Sequence, residues 1–515
     1  MVADFANEKL TDFTRDENVR EMEEALAEVD RVLGREYPLV VNGKEIMTKE
    51  TFVSNNPSNK DQVVGVIAKA TLKEAEEAVA GAYARFGDWQ YFKPEGRARI
   101  LLKAASIMRS KKFFLSALMV VEAGKSWVEA DGDTAEAIDF LEFYGQEMIR
   151  LSGRQPLTRI AGEDNELYYI PLGVGIAIPP WNFPLAILTG ITTAAIVTGN
   201  TVILKPATPT PVIGYQLVEI MRDAGLPDGV LNFLPGSGAA IGDFLVGHPK
   251  TRFVSFTGSK EIGLRINELA AKTAPGQKWI KRVVAEMGGK DAIVVDEDSN
   301  YEEAAQGIVA SAFGFQGQKC SACSRTILAG KSYDRVLERV VELTKGITVG
   351  NVRDRKNRMG PVITESAEKG ILKYIEIGKG EGKLLAGGNK LPLNGYFIEP
   401  TVFGDVSATA RISQEEIFGP VLAVTKARDF SEALSFANNT EYGLTGAVYS
   451  NVRANLERAR REFFCGNLYL NRKCTGALVG AHPFGGFNMS GTDSKAGGRD
   501  YLQLFMQAKV VSEKL

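Results

Sequence analysis

The apolar positions change rhythm partway along the chain. From Thr14 onward they fall at helical spacing, with Val19, Met22, Ala25, Leu26, Val29 and Leu33 on one face, which predicts a first helix. Thr14 and Glu17 have the spacing of a capping box, which would start that helix at Thr14. Asn42-Gly43 suits a type I′ turn, so 38–46 reads as a hairpin. Helical spacing returns over 71–86, over 94–114 with a proline in the first turn, and over 135–150. From Val174 the pattern becomes short, continuously apolar runs alternating with helical segments. Strands are expected at 173–178, 201–204, 230–234, 252–256 and 281–286. Helices are expected at 185–197, 211–224, 239–246 and 260–271, with Gly199 and Gly225 as stops. Strands that are apolar on both faces and joined through helices belong to a parallel sheet covered on both sides. A second alternating block opens at 292–296 and runs to about Asn471; within it, 301–315 reads as a helix and 324–329 as a strand. The tail, 501–511, reads as a final strand that either covers its own sheet or docks on another subunit.

One stretch tests this soluble α/β reading. Residues 167–204 carry no charged side chain, and a bilayer span needs only about 20 apolar residues. Pro171, Pro179, Pro180 and Pro184 interrupt it, and Asn182 sits inside it. Strand, turn and buried helix are the expectation, not a membrane span. Composition changes the picture in three places. Sixty-one basic residues against 63 acidic ones give a net charge of −2, which makes no electrostatic case for nucleic acid. Four cysteines in 515 residues point to a reducing compartment and hence the cytoplasm, and the acidic N-terminus lacks the apolar core of a signal peptide. Only His248 and His482 are present, too few for a multi-His metal site and unfavourable for His-based catalysis. The length suggests roughly three domains.

Candidate chemistry centres on GQKCSACSR, 317–325. A cysteine in a Gly-rich turn between a helix and a strand can meet a substrate as a thiolate, and Lys319 beside Cys320 can lower its pKa. Two other readings stay open: a buried core cysteine, and a redox or metal pair formed by Cys320 and Cys323. The turns PGSG, 235–238, and FTGS, 256–259, open helices. Gly258 and Ser259 there can offer N–H groups and a hydroxyl to a diphosphate, or can be ordinary tight turns. Lys205 follows a strand end, placed for a ribose or phosphate or simply solvated. Asn182 either caps a helix or points its amide at a developing oxyanion. Glu286, followed by Gly288 and Gly289, is either a surface turn acid or a base with a raised pKa.

Taken together, PWNFP (180–184), KPA (205–207), FTGS (256–259), EMGGKDA (286–292), GQKCSACSR (317–325), EEIFGP (415–420) and PFGGFNMSG (483–491) resemble the aldehyde dehydrogenase superfamily from about residue 40 to 511. The resemblance implies an α/β fold in three parts. A Rossmann-like NAD-binding domain would comprise 1–153 and 177–288, and an α/β catalytic domain 289–488. A small β oligomerisation arm would comprise 154–176 and 489–515, in a homo-oligomer of dimers or larger. It implies Cys320 as nucleophile, Asn182 with the Cys320 N–H as oxyanion hole, and Glu286 as the base that activates water. Cys323, Cys465 and Cys474 receive no role, and no metal is expected. Lys205 would hold the adenine ribose, Ser259 with Gly258 the diphosphate, and Glu416 the nicotinamide ribose, with Trp181 and Phe418 at the same cofactor. Thr208 stands where many NAD-specific members carry Glu, so NAD is expected with NADP tolerated. The loop 475–484, Ser321 and the charged N-terminal extension resemble the group acting on L-glutamate γ-semialdehyde, the hydrolysed form of 1-pyrroline-5-carboxylate, in proline and arginine breakdown. In that group Gly476, Ala477 and Ser321 would hold the α-carboxylate, Phe183 and Phe484 would pack the aliphatic chain, and Glu136 would stand behind them. Another small semialdehyde is the alternative substrate.

Overall fold

The structure, a computed structural model, describes residues 4–515; the first three residues of the expected nucleotide-binding domain lie outside it. Two seven-stranded sheets dominate. In the first, the strands run Arg282–Glu286, Thr251–Thr257, Val174–Ile178, Thr201–Leu204 and Leu231–Phe233, all parallel. The antiparallel hairpin Leu39–Val41 and Lys44–Ile46 extends that edge. Its turn residues Asn42 (φ 53°) and Gly43 (φ 81°) both adopt the left-handed conformation that a type I′ turn requires. Chain order reverses between Val174–Ile178 and Thr251–Thr257, where a crevice opens at the carboxyl ends of a doubly wound sheet. The helix Ala186–Val197 is buried on nearly all sides, which is why its sequence carries no amphipathic stripe.

The second sheet orders Lys383–Ala386, Thr401–Gly404, Val421–Ala427, Cys323–Ala329, Asp291–Val295, Thr445–Tyr449 and Asn467–Leu470. It is parallel apart from the first strand at its edge. A three-stranded sheet of Arg35–Tyr37, Asn59–Ala68 and Thr51–Asn56 stands beside these. A long antiparallel ribbon pairs Glu163–Pro171 with Met506–Lys514, and its outer strand is exposed from Gln507 onward. The charge-free stretch 167–204 resolves into strand, turn, helix and strand. Among the described residues no helix is long and apolar enough to cross a membrane.

Several element boundaries differ from the sequence expectation. The first helix is Asp16–Val32 and has no side-chain cap, because the Thr14 hydroxyl donates instead to Asp12 Oδ1 at 2.6 Å. A capping box forms instead at Thr71 and Glu74, opening helix Leu72–Trp89. The helix expected over 94–114 is two, Pro94–Ser110 and Lys112–Glu122, with a break at Lys111 that brings Lys112 onto Asp131 at 3.0 Å. The helix expected from residue 135 starts at Trp127, where the Ser126 side chain accepts from Glu129 N. The segment expected as one helix over 239–246 is a π-turn, Gly238–Gly242, followed by Asp243–Gly247. The expected terminal strand begins only at Met506, because Tyr501–Phe505 forms a 3-10 turn that buries Tyr501, Leu502 and Phe505.

One buried acid ties three of these elements together. Glu122 ends helix Lys112–Glu122 and is fully buried. Its carboxylate accepts from Val212 N and Ile213 N, both at 2.9 Å, and from the Ser54 hydroxyl at 2.8 Å. It therefore satisfies the free amides at the start of helix Pro211–Asp223, which no side chain of that helix's own N-cap reaches. Replacing Glu122 by Ala leaves buried N–H groups unpaired and should cost roughly 2–4 kcal/mol. Denaturant unfolding monitored by circular dichroism measures it, and an unchanged midpoint would show that the acid is dispensable.

Candidate active site

The nucleophile candidate is placed by an unusual exit from a helix. Helix Tyr301–Phe313 passes into a tight turn in which Phe315 (φ 46°), Gln316 (φ 58°) and Gly317 (φ 67°) are successively left-handed. Such a conformation is costly for Phe and Gln and needs outside support. The Gln316 amide supplies it by donating to Gly124 O at 3.0 Å and Pro361 O at 2.7 Å. Gln318 Oε1 accepts from Ile363 N at 2.9 Å. A Cβ on Gly317 would sit 2.3 Å from Gly419 O, so only glycine fits. Cys320 leaves this turn partly exposed, while Cys323, Cys465 and Cys474 are buried. The Cys323 thiol points into the core and lies 3.2 Å from Arg325 O, its hydrogen-bond acceptor.

Lys319 does not serve the thiol as the sequence suggested. Its ammonium is held by Glu129, at 2.7 Å from Oε1 and 2.6 Å from Oε2. Burial pushes the Cys320 thiol well above its ordinary range, and Asp291, Glu416 and Glu286 add to the effect. These surroundings favour the thiol over the thiolate, and the sulfur becomes nucleophilic when its proton leaves.

Two helpers stand near it. Asn182 is buried, and its amide donates to Gln318 O at 3.0 Å, so it is fixed to the loop that carries Cys320 and does not cap a helix. An amide nitrogen carries two N–H groups, and one remains to reach a substrate oxygen. Glu286 ends strand Arg282–Glu286 and is buried, not a surface turn acid. It accepts from Gly486 N at 3.2 Å and from the Ser494 hydroxyl, and burial raises its pKa to about 8 despite these bonds. The glycines that follow allow close passage. A Cβ on Gly288 would sit 2.2 Å from Glu416 Oε2, and one on Gly289 would sit 2.4 Å from Cys320 O.

Of the expected cofactor residues, Trp181, Lys205, Gly258 and Ser259 follow the carboxyl ends of strands in the first sheet. Lys205 follows strand Thr201–Leu204 and is buried, not solvated. Among the described residues its ammonium has no acidic partner, and burial alone lowers its pKa to about 8. A buried, unpaired cation of this kind is fitted to hydrogen-bond acceptors supplied by a ligand. Ser259 caps helix Lys260–Ala271 and is exposed at its N-terminus, and Gly258 N donates to Glu286 O at 3.1 Å. Glu416 accepts from Gly289 N at 2.9 Å and is raised to about 7 by burial. Trp181 meets Phe418 edge-on at 5.5 Å between ring centroids.

On the other side of Cys320 lies a cavity of about 290 Å³. Cys320, Ser321, Glu286, Phe183 and Phe484 line it, together with the turn Gly476–Ala477. Gly476 is left-handed (φ 80°), and its carbonyl accepts from Arg472 at 3.2 Å. Neither Gly476 N nor Ala477 N has a partner among the described residues. Two successive free amides make a seat for an anion. Glu136 also lines the cavity and is raised to about 8 by burial and by Asp133. Sequence reasoning missed the support behind this wall. Lys125 and Asp133 form a fully buried ion pair at 2.9 Å. The Lys125 ammonium lies 4.3 Å from the ring centres of both Phe183 and Phe315, and Asp133 accepts from Ala186 N at 2.6 Å. Lys125 sits in the short loop between Glu122 and Trp127, and Asp133 in the acid-rich run 127–139, so neither stood out in the sequence.

Comparison with known proteins follows the same lines. The model of the aldehyde dehydrogenase family matches residues 45–511. A 1-pyrroline-5-carboxylate dehydrogenase of Anoxybacillus flavithermus is 61% identical over 513 residues, covering all of both chains. That of Bacillus subtilis is 58% identical over the same span. The solved 1-pyrroline-5-carboxylate dehydrogenase from Thermus with bound NAD superposes with a TM-score of 0.99 at 52% identity, again over both full lengths. The doubly wound sheet, the second parallel sheet and a family match that spans nearly the whole length agree with one another, and the chain belongs to the aldehyde dehydrogenase family.

Proposed function

We propose that this enzyme oxidises L-glutamate γ-semialdehyde, formed by hydrolysis of 1-pyrroline-5-carboxylate, to L-glutamate with NAD. The observation that carries the reading is one cavity that joins Cys320 and Glu286 to the free amides of Gly476–Ala477. A nucleophilic sulfur at one end and a carboxylate seat at the other select a short aldehyde bearing an α-carboxylate. The full-length relatives bearing the 1-pyrroline-5-carboxylate dehydrogenase name support the same substrate.

In this mechanism the partly exposed Cys320 thiol passes its proton to solvent, and the sulfur attacks the aldehyde carbon. The Asn182 amide and the Cys320 N–H hold the resulting oxyanion, where preorganised donors act most strongly. Bound NAD supplies the hydride acceptor. Lys205 and Ser259–Gly258 would hold its adenosine and diphosphate end, and Glu416 the nicotinamide ribose, with Phe418 and Trp181 alongside. A thioester remains on Cys320. Glu286 takes a proton from water, the water oxygen adds to the thioester carbon, and the C–S bond breaks to release the acid and restore the thiol. Gly476, Ala477 and Ser321 hold the α-carboxylate, and Phe183 and Phe484 flank the aliphatic chain. On this reading 1–153 with 177–288 carry the coenzyme and 289–488 carry the nucleophile. The exposed ribbon from 154–176 and 489–515 pairs with a second copy in a homo-oligomer. Four free cysteines suit the cytoplasm.

Steady-state NADH formation across a panel of semialdehydes, with NAD and NADP in parallel, tests this. L-Glutamate γ-semialdehyde should exceed succinate semialdehyde in kcat/KM by about tenfold or more, because the latter has no α-amino group and its carboxylate stands one carbon nearer the aldehyde, short of the free amides. NADP should be tolerated beside NAD, since exposed Thr208 brings no charge to repel a 2′-phosphate. Equal rates on both aldehydes would favour a general small-semialdehyde dehydrogenase.

A further inference from the structure

The segment ahead of the first helix reaches the substrate cavity. Residues 5–13 lie along helix Trp127–Leu151, fastened to two of its acids. Glu8 N donates to Asp139 Oδ1 at 2.6 Å, and the Thr11 N–H and hydroxyl donate to Asp131 at 2.8 and 2.5 Å. Phe5 meets Phe143 edge-on at 5.2 Å, and Glu8 and Leu10 line the far end of the cavity. Asn7 does something different. Its amide donates both to Asp139 Oδ2 at 2.8 Å and to Val479 O at 3.0 Å. A single side chain thus joins the segment, the long helix and the loop that follows Gly476–Ala477. Phe5 packs over the same loop, since a Cβ on Gly480 would lie 3.0 Å from its ring. The loop's other polar ties run from Arg472 to Thr475 O and Gly476 O, from Gly480 N to Gly497 O, and within the loop from Leu478 N to His482 Nδ1 and from Ala481 N and His482 N to Leu478 O.

We propose that residues 5–13 form a strap which, through Asn7, positions the Gly476–Ala477 turn and so sets selectivity for aldehydes that carry an α-carboxylate. Asn7 is a positioning residue: it touches no reacting atom, and it acts by holding the Val479 carbonyl and hence the orientation of the two free amides three and two residues earlier. A seat made of backbone N–H groups has no side chain to adjust, so its binding strength depends on where the loop is held. The inference rests on the substrate reading above.

The test is Asn7→Ala, with Asn7→Asp as a second variant that places a carboxylate against Asp139 and cannot donate to Val479 O. Wild type is measured first on L-glutamate γ-semialdehyde and on propanal, which has no carboxylate. Asn7→Ala should raise KM for the semialdehyde about tenfold while kcat holds. Its kcat/KM on propanal should stay at the wild-type value, and Asn7→Asp should lose at least as much on the semialdehyde. Hydrogen exchange should quicken at residues 475–480 and nowhere else in the second half of the chain. Parallel loss on both aldehydes would mean a merely structural role, and unchanged kinetics on both would mean no role; either result overturns the strap. If wild type itself shows no preference for the semialdehyde, the substrate reading fails first and takes the strap's role in selectivity with it.

Discussion

Cys320→Ala should abolish aldehyde oxidation, lowering kcat by about 10⁴-fold or more, as expected when a nucleophile that forms a covalent intermediate is removed. NAD binding should survive, because the residues proposed to hold it, Lys205, Ser259 and Glu416, belong to other elements. Stopped-flow NADH absorbance measures the first effect and fluorescence titration the second. The buried Cys323, Cys465 and Cys474 give a control. Iodoacetamide should label Cys320 first, and the alanine variant should lose that label. Retained activity in the variant would rule out thiol chemistry altogether.

Glu286→Gln should separate the two halves of the reaction. The amide can still fill the site between Gly486 N and Ser494, but it cannot take a proton. Steady-state turnover should fall by about 10² to 10⁴-fold, the usual contribution of a positioned base, while a single burst of NADH persists and the thioester accumulates. A missing burst would mean that Glu286 acts earlier, for example in ionising the thiol. The pH dependence has a definite sign. Burial raises this acid to about 8, and the base works only when ionised, so deacylation should climb as pH rises through that value and the climb should vanish in the glutamine variant. The same shift affects stability in the opposite sense. The folded chain holds this proton more tightly than the unfolded chain does, so the contribution of Glu286 to stability declines as pH rises from its ordinary value of 4.5 toward 8.

Much of the first sheet was legible because its strands are buried on both faces. Thr201–Leu204 and Lys260–Ala271 fall at the expected residues, where Gly and Pro punctuate uninterrupted apolar runs. The boundaries that moved are those decided by distant partners. Lys111 breaks a continuous helical pattern where Lys112 meets Asp131 and the carbonyl of Lys9, and no local residue announces that contact. Thr14 has the spacing of a cap but spends its hydroxyl on Asp12. In the site, the motifs located Cys320, Asn182 and Glu286, yet spacing alone left each with an ordinary alternative. The sequence also could not show what holds them. Ser494 reaches Glu286 across 208 residues, and Lys319 turns from the neighbouring sulfur to Glu129. The N-terminal segment read only as polar and charged, because its apolar contacts, Phe5 on Phe143 and Phe13 on Trp127, are too sparse to leave a period.

The left-handed turn before the nucleophile has a mechanical corollary. Gly317 rests directly on the carbonyl of Gly419, one residue past Phe418, with no room for a methyl group between them. The backbone that aims the sulfur and the backbone that carries Glu416 and Phe418 are therefore geared together. A displacement of either loop is transmitted to the other, so the orientation of the thiol and the placement of Glu416 and Phe418 are adjusted as one setting rather than two.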